Sequence, residues 1–66
     1  MDMPIWKRIR NYLLTNNLKF KDVADKANIT RNCFYKMMLG KTPLPADYVM
    51  RIAQAVGVSY CEFFKD

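Results

Sequence analysis

The chain has 66 residues, 52% hydrophobic and 26% charged, which fits one globular domain near the lower size limit for a self-sustaining core and excludes a disordered chain. Eleven Lys/Arg against six Asp/Glu leave a net charge of +5. No apolar run approaches the roughly 18 residues of a membrane span, and the start, MDMPIWKRIRNY, lacks the apolar stretch and cleavage site of a secretory signal, so a cytoplasmic protein is expected.

No repeat, low-complexity tract or linker divides the sequence, and residues 1–66 read as a single domain. The first helix is predicted over about residues 4–15. Pro4 suits a first helical position, and Asp2 ahead of it favours the positive helix end. Ile5, Ile9, Tyr12 and Leu13 recur at helical spacing as a buried stripe with Trp6 at its edge. Lys7, Arg8 and Arg10 fall on the other faces and are expected in solvent. Asn16 and Asn17 end the helix, because Asn tolerates the left-handed cap conformation.

A second helix, about residues 20–26, buries Val23, Ala24 and Ala27; Ala24 is short enough to let a crossing helix approach. Asn28 suits a turn that needs a positive φ. Ile29 plugs the angle between helices, and Thr30 caps the third helix with its hydroxyl. That helix runs to about residue 39, where Gly40 stops it. Phe34 and Met37 face inward with Cys33 at the margin, while Arg31, Asn32, Tyr35 and Lys36 share the opposite side. Two short helices joined by a tight turn, with a polar outer face on the second, form the pattern of a helix-turn-helix over about residues 20–39.

After a short loop containing Pro43, Pro45 opens a fourth helix with Asp47 in its favourable first turn. Val49, Ile52, Ala53 and Val56 form its core face, and Gly57 ends it. Ser59 and Glu62 have the spacing of a capping box that opens a last short helix, from which Phe63 closes the core with Phe64 beside it. The expected fold is therefore all-α, a compact five-helix bundle without strands. Leu44, Tyr48, Met50 and Tyr60 are apolar residues left outside the core, and a homodimer contact is the reading of this set.

Enzyme chemistry finds no support. There is no histidine, no nucleophilic serine motif, no glycine-rich phosphate loop and no carboxylate cluster. Cys33 and Cys61 are too few for a zinc site and read as reduced thiols acting as small apolar side chains. Neither a metal, a cofactor nor a small-molecule ligand is expected. Charge is unevenly spread: residues 1–41 carry nine Lys/Arg and three acids, residues 42–66 two and three, leaving +6 and −1. A basic half and a near-neutral half point to one side facing a polyanion.

From residue 9 to residue 64 the chain resembles the phage Cro/repressor-type (Xre-like) helix-turn-helix family. The matching pieces are IRNYLLTNNL, DVADKANIT, FYKMMLGK and RIAQAVGVSYCEFF, the last containing the I-A-x-A-x-G-V-S run. The resemblance implies a compact lambda repressor-like DNA-binding domain that meets a palindromic operator as a dimer. Carried over by position, Arg31, Asn32 and Lys36 would touch base edges and Tyr35 flanking bases or phosphate. Thr30 and Lys41 would touch the backbone, with Lys19 and Lys21 beside them at the groove edge. The chemistry suits these roles, since Arg can donate twice to guanine O6 and N7 and Asn can pair with adenine N6 and N7.

The chain departs from the family at three places. Phe20 stands where a phosphate-binding glutamine is usual, so that contact is expected either to be lost or to pass to Lys19 or Lys21. Leu13 and Met38 replace a common Arg–Glu pair and are expected to touch, because an apolar pair can substitute for a buried ion pair. Asp47 lies where relatives carry a basic residue and is expected to serve the helix end alone. The resulting expectation is a sequence-specific transcriptional regulator of phage or mobile-element origin, acting as a repressor in a bacterial or phage-infected cell. The alternatives are a protein-interaction module of the same fold (antitoxin or anti-repressor) and a restriction–modification controller protein.

Overall fold

A computed structural model of the chain describes residues 3–64, so the expected contribution of Asp2 to the first helix lies outside the described residues. Four α-helices follow in order: α1 (Ile5–Thr15), α2 (Phe20–Lys26), α3 (Arg31–Met38) and α4 (Ala46–Val56). The chain is all-helical, with no strand among the described residues. The fifth predicted helix is a 3₁₀ segment, Tyr60–Phe64. Its start is held by Ser59. The Ser59 Oγ accepts from the Cys61 N–H at 3.4 Å, while the Glu62 N–H goes to the Ser59 carbonyl at 3.0 Å.

All four α-helices end in the same way. A left-handed residue follows each, directly after α4 at Gly57 (φ 87°) and one residue past the C-cap of the other three at Asn17 (φ 59°), Asn28 (φ 60°) and Gly40 (φ 76°). The next N–H then reaches back five residues: Leu18 to Leu13, Ile29 to Ala24, Lys41 to Lys36 and Val58 to Ala53, at 2.8–3.0 Å. This closure satisfies carbonyls that a helix end leaves open, and it usually places an apolar side chain directly after the turn. Leu18, Ile29 and Val58 obey, and all pack on the core. Lys41 is the exception: the chain turns there identically but sets a charge in solvent.

Helix starts are less uniform. Thr30 accepts from the Cys33 N–H at 3.3 Å, as predicted. Pro4 and Pro45 have extended ψ of 151° and precede their helices as N-caps, so each helix begins one residue later than the prolines imply.

The core joins Ile9 and Leu13 of α1, Val23 and Ala24 of α2, Phe34, Met37 and Met38 of α3, Val49, Ile52 and Ala53 of α4, and Ala27, Ile29 and Phe63 from between and after the helices. Leu13 and Met38 are both fully buried in it. α2 packs on α3 and α4, α1 on α3, and the 3₁₀ segment closes against α1 and α4. There the Tyr12 and Phe63 rings meet edge to face, 5.4 Å apart. Ile5 and Val56, expected in the core, are only half-buried at its rim, near the outer ends of their helices. Cys61 is exposed rather than apolar filling, whereas Cys33 is half-buried; both thiols are free.

Arg10 also departs from expectation. It is half-buried, with its guanidinium 5.1 Å from the Trp6 ring centroid and Nη1 3.5 Å from the Met38 carbonyl oxygen. It therefore ties α1 to the C-terminal end of α3, where a positive charge is favoured. Arg8 is likewise half-buried, its Nε 3.4 Å from the Met3 carbonyl oxygen. Lys7 is exposed, though its ammonium lies 5.7 Å from the same indole.

Candidate functional site

α3 is the element on which the candidate residues converge. Its inward face is fixed by Phe34, Met37 and Met38, all fully buried. At about 100° per residue, Arg31, Asn32, Tyr35 and Lys36 occupy an arc of roughly 140° on the opposite side, and all four are exposed. Burial of three large side chains on one face is what turns the polar arc outward. Replacing Phe34, at the centre of that anchor, would release both.

The turn between α2 and α3, residues 27–30, sets how the helix is presented. Ala27 and Ile29 are buried within it, Asn28 supplies the left-handed bend, and Thr30 starts the next helix. Lys19, at the N-cap of α2, Lys21 in its first turn and Lys41 beyond α3 are all exposed. Phe20 braces α3 through aromatic contact. Its ring lies 5.8 Å from that of Phe34, edge on, and 6.1 Å from that of Tyr35.

Arg31 is not a free cation. Its Nε donates to Asp25 Oδ1 at 3.2 Å and its Nη2 to Oδ2 at 2.7 Å. The pair bridges the turn, from near the end of α2 to the first residue of α3, and both side chains are more than half exposed. The hydrogen bonds from Arg31 hold the Asp25 carboxyl below its ordinary range, with the nearby positive charges adding to the effect, and Asp25 in turn raises Arg31. Both groups are ionised at neutral pH.

Two residues on this face escaped sequence reading. Asp25 carries no signal of its own in the sequence, since its spacing from Arg31 matches no single-helix pair. Leu39, at the C-cap of α3, is 56% exposed and lines a shallow apolar depression with Phe20 and Tyr35. It falls on the same side of the helix as the polar arc, which the turn periodicity would have indicated.

The predicted dimer residues divide. Leu44, Met50 and Tyr60 line one apolar cleft of about 340 Å³, together with Ile5, Val49 and Phe64. Tyr48 does not line it; its ring carries the Arg51 guanidinium at 5.3 Å. Arg51 also reaches Asp47 one turn earlier, at 3.6 Å, so Asp47 has an ion-pair partner besides its place at the helix start.

Among the described residues, no group of three or more His, Cys, Asp or Glu is placed to hold a metal ion, and no helix is long and apolar enough to cross a membrane. No protein-family model, curated protein or solved structure matches the chain.

Proposed function

We propose that the chain is a sequence-specific DNA-binding transcriptional regulator of the helix-turn-helix type, acting as a homodimeric repressor without a cofactor. In this reading α2 and α3 are the two helices of the motif, and α3 enters the major groove. Arg31 and Asn32 meet base edges near its start, Lys36 lies one turn further along, and Tyr35 meets a thymine methyl or a phosphate. Lys19, Lys21, Thr30 and Lys41 meet the backbone and set the register. Two copies of α3, with centres roughly 34 Å apart, would read successive major grooves of a palindromic operator and block polymerase at overlapping promoters.

The observation that carries this reading is the exposed arc of Arg31, Asn32, Tyr35 and Lys36 on a helix whose other side is anchored by fully buried Phe34, Met37 and Met38. The lysines that flank it at residues 19, 21 and 41 suit contact with a phosphate backbone. Selection from random DNA followed by sequencing tests the proposal directly. A symmetric enriched motif is the expected result; no enrichment, with no discrimination over bulk DNA, rejects it.

A protein-interaction module of antitoxin or anti-repressor type is the second reading. Exposed Leu39 in its depression with Phe20 and Tyr35 favours it, because apolar surface on this helix suits a protein partner. A stoichiometric protein covering α3 after purification from the native host supports that reading, and a clean dimer that shifts operator DNA removes it.

A further inference from the structure

We propose that Asp25 is a specificity-determining positioning residue: its carboxylate holds one edge of the Arg31 guanidinium so that the other end is set to grip a guanine. This rests on the reading of α3 as the helix that meets base edges, and it adds a residue that would itself touch no base.

The choice of edge carries the inference. A guanidinium has five N–H groups in a rigid plane, and a carboxylate can take two of them in parallel. Here the two taken are on Nε and Nη2, at 3.2 and 2.7 Å. Both hydrogens of Nη1 and the second hydrogen of Nη2 lie outside the pair. One from each nitrogen forms the outer end of the fork, the spacing that matches O6 and N7 of a guanine in the major groove. An arginine free in solvent must give up its torsional freedom when it docks. With both parallel bonds formed, the Arg31 plane is already fixed against the end of α2.

The pair has little else to do. Its side chains are 58% and 52% exposed, and exposed ion pairs contribute little to folding. It is separate from the buried cluster that anchors α3. A carboxylate close to phosphates also works against binding to DNA of any sequence. Asp25 therefore lowers general affinity while sharpening the response to one base. That combination separates a positioning role from a simple latch, since a latch would withhold Arg31 from every sequence alike.

The experiment is random-DNA selection with the wild type, D25A, D25N, R31A and the D25A/R31A double variant, followed by titration of single-base variants of the selected site. Expected is a loss of discrimination at one position in D25A of about 5-fold or more, with equal or tighter binding to bulk DNA. D25N, which keeps one acceptor oxygen, should fall between wild type and D25A. Adding D25A to R31A should leave the preference at that position where R31A alone left it. Tighter binding of D25A to all sequences with the same preference as wild type overturns the proposal. So does an equal loss of preference in the R31A background. A wild type that enriches no motif rejects the DNA-binding reading and this inference with it, and that result is judged before any variant is compared.

Discussion

Trp6 occupies the space that a side chain at position 40 would need: a Cβ built on Gly40 falls 2.5 Å from Cζ2 and 2.8 Å from Cε2 of the indole. The glycine that ends α3 thus serves two requirements at once, a positive φ and close approach of the first helix. Gly57 ends α4 with similar geometry but has nothing within 4 Å of the same construction. Gly57→Ala should cost only the backbone strain, about 1–2 kcal/mol. Gly40→Ala should cost that and the displacement of a packed ring, about 1–3 kcal/mol more. Thermal melts should place G40A below G57A by roughly 4–8 °C per kcal/mol. Equal melting points would mean that Trp6 moves aside freely.

Arg10 joins the same corner from the other side. Its guanidinium lies over Trp6 and reaches the Met38 carbonyl, so one side chain braces both the indole and the end of α3. Arg10→Ala should destabilise the domain by about 1–2 kcal/mol, the combined scale of a cation–π contact and a modest hydrogen bond. Arg10→Lys should recover only part, because an ammonium lacks the planar face and the fork. Chemical denaturation of the three proteins decides this; indistinguishable midpoints would show the contact to be idle.

Local punctuation made most of the fold legible in the sequence. Asn17, Asn28, Gly40 and Gly57 each mark a left-handed helix end, and the side chain needed there is a property of one residue. The outward arc of α3 was equally readable, since Phe34 and Met37 determine which way the helix must roll. What stayed hidden depends on the angle between elements. Arg31 meets Asp25 only because the turn brings the two helix ends together, and Arg10 meets Met38 across 28 residues of sequence. No periodicity encodes either contact. The last segment, expected as a helix, is 3₁₀, because a start signal such as Ser59 marks where a helical turn opens without fixing which hydrogen-bond spacing follows.

The Arg31–Asp25 pair gives a titration with a determined sign. The folded-state value of Asp25 lies below its ordinary one, so the pair stabilises the fold above about pH 4. That contribution is lost as pH falls through the lower folded-state value. Carboxyl chemical shifts followed by NMR should show Asp25 titrating below an unperturbed exposed aspartate, and Arg31→Ala should return it upward. An unchanged midpoint in R31A would show that the pair does not persist in solution. The chain has no histidine, so no imidazole contributes a pH dependence near neutrality.

Base and backbone contacts should separate by their salt dependence. Lys41 follows the turn at Gly40 and is the one charged residue among the four positions that close a helix end. If it meets a phosphate, Lys41→Ala weakens all DNA sequences alike and lowers the slope of log K against log salt by about one unit. Arg31→Ala should instead relax preference at one position, by roughly 5- to 150-fold. Titrations of matched and mismatched duplexes at several salt concentrations measure both. A K41A effect confined to one sequence would reassign Lys41 to base reading.

The cleft between α4 and the 3₁₀ segment makes the dimer proposal residue-specific. Met50 is exposed and lies on that cleft beside Leu44, Tyr60 and Phe64. A charge placed there meets solvent in a monomer but apolar surface in a dimer, where burying it unpaired is strongly unfavourable. Met50→Glu should therefore leave the fold intact while converting the protein to monomer and lowering operator affinity by at least about 10-fold. Tyr48, although half-buried and apolar, carries Arg51 instead of lining the cleft. Tyr48→Ala should keep the dimer, a distinction that the sequence alone could not draw between these two residues. Sedimentation of the two variants settles which surface pairs: a monomeric Y48A beside a dimeric M50E would move the interface off the cleft and onto the Arg51 side of α4.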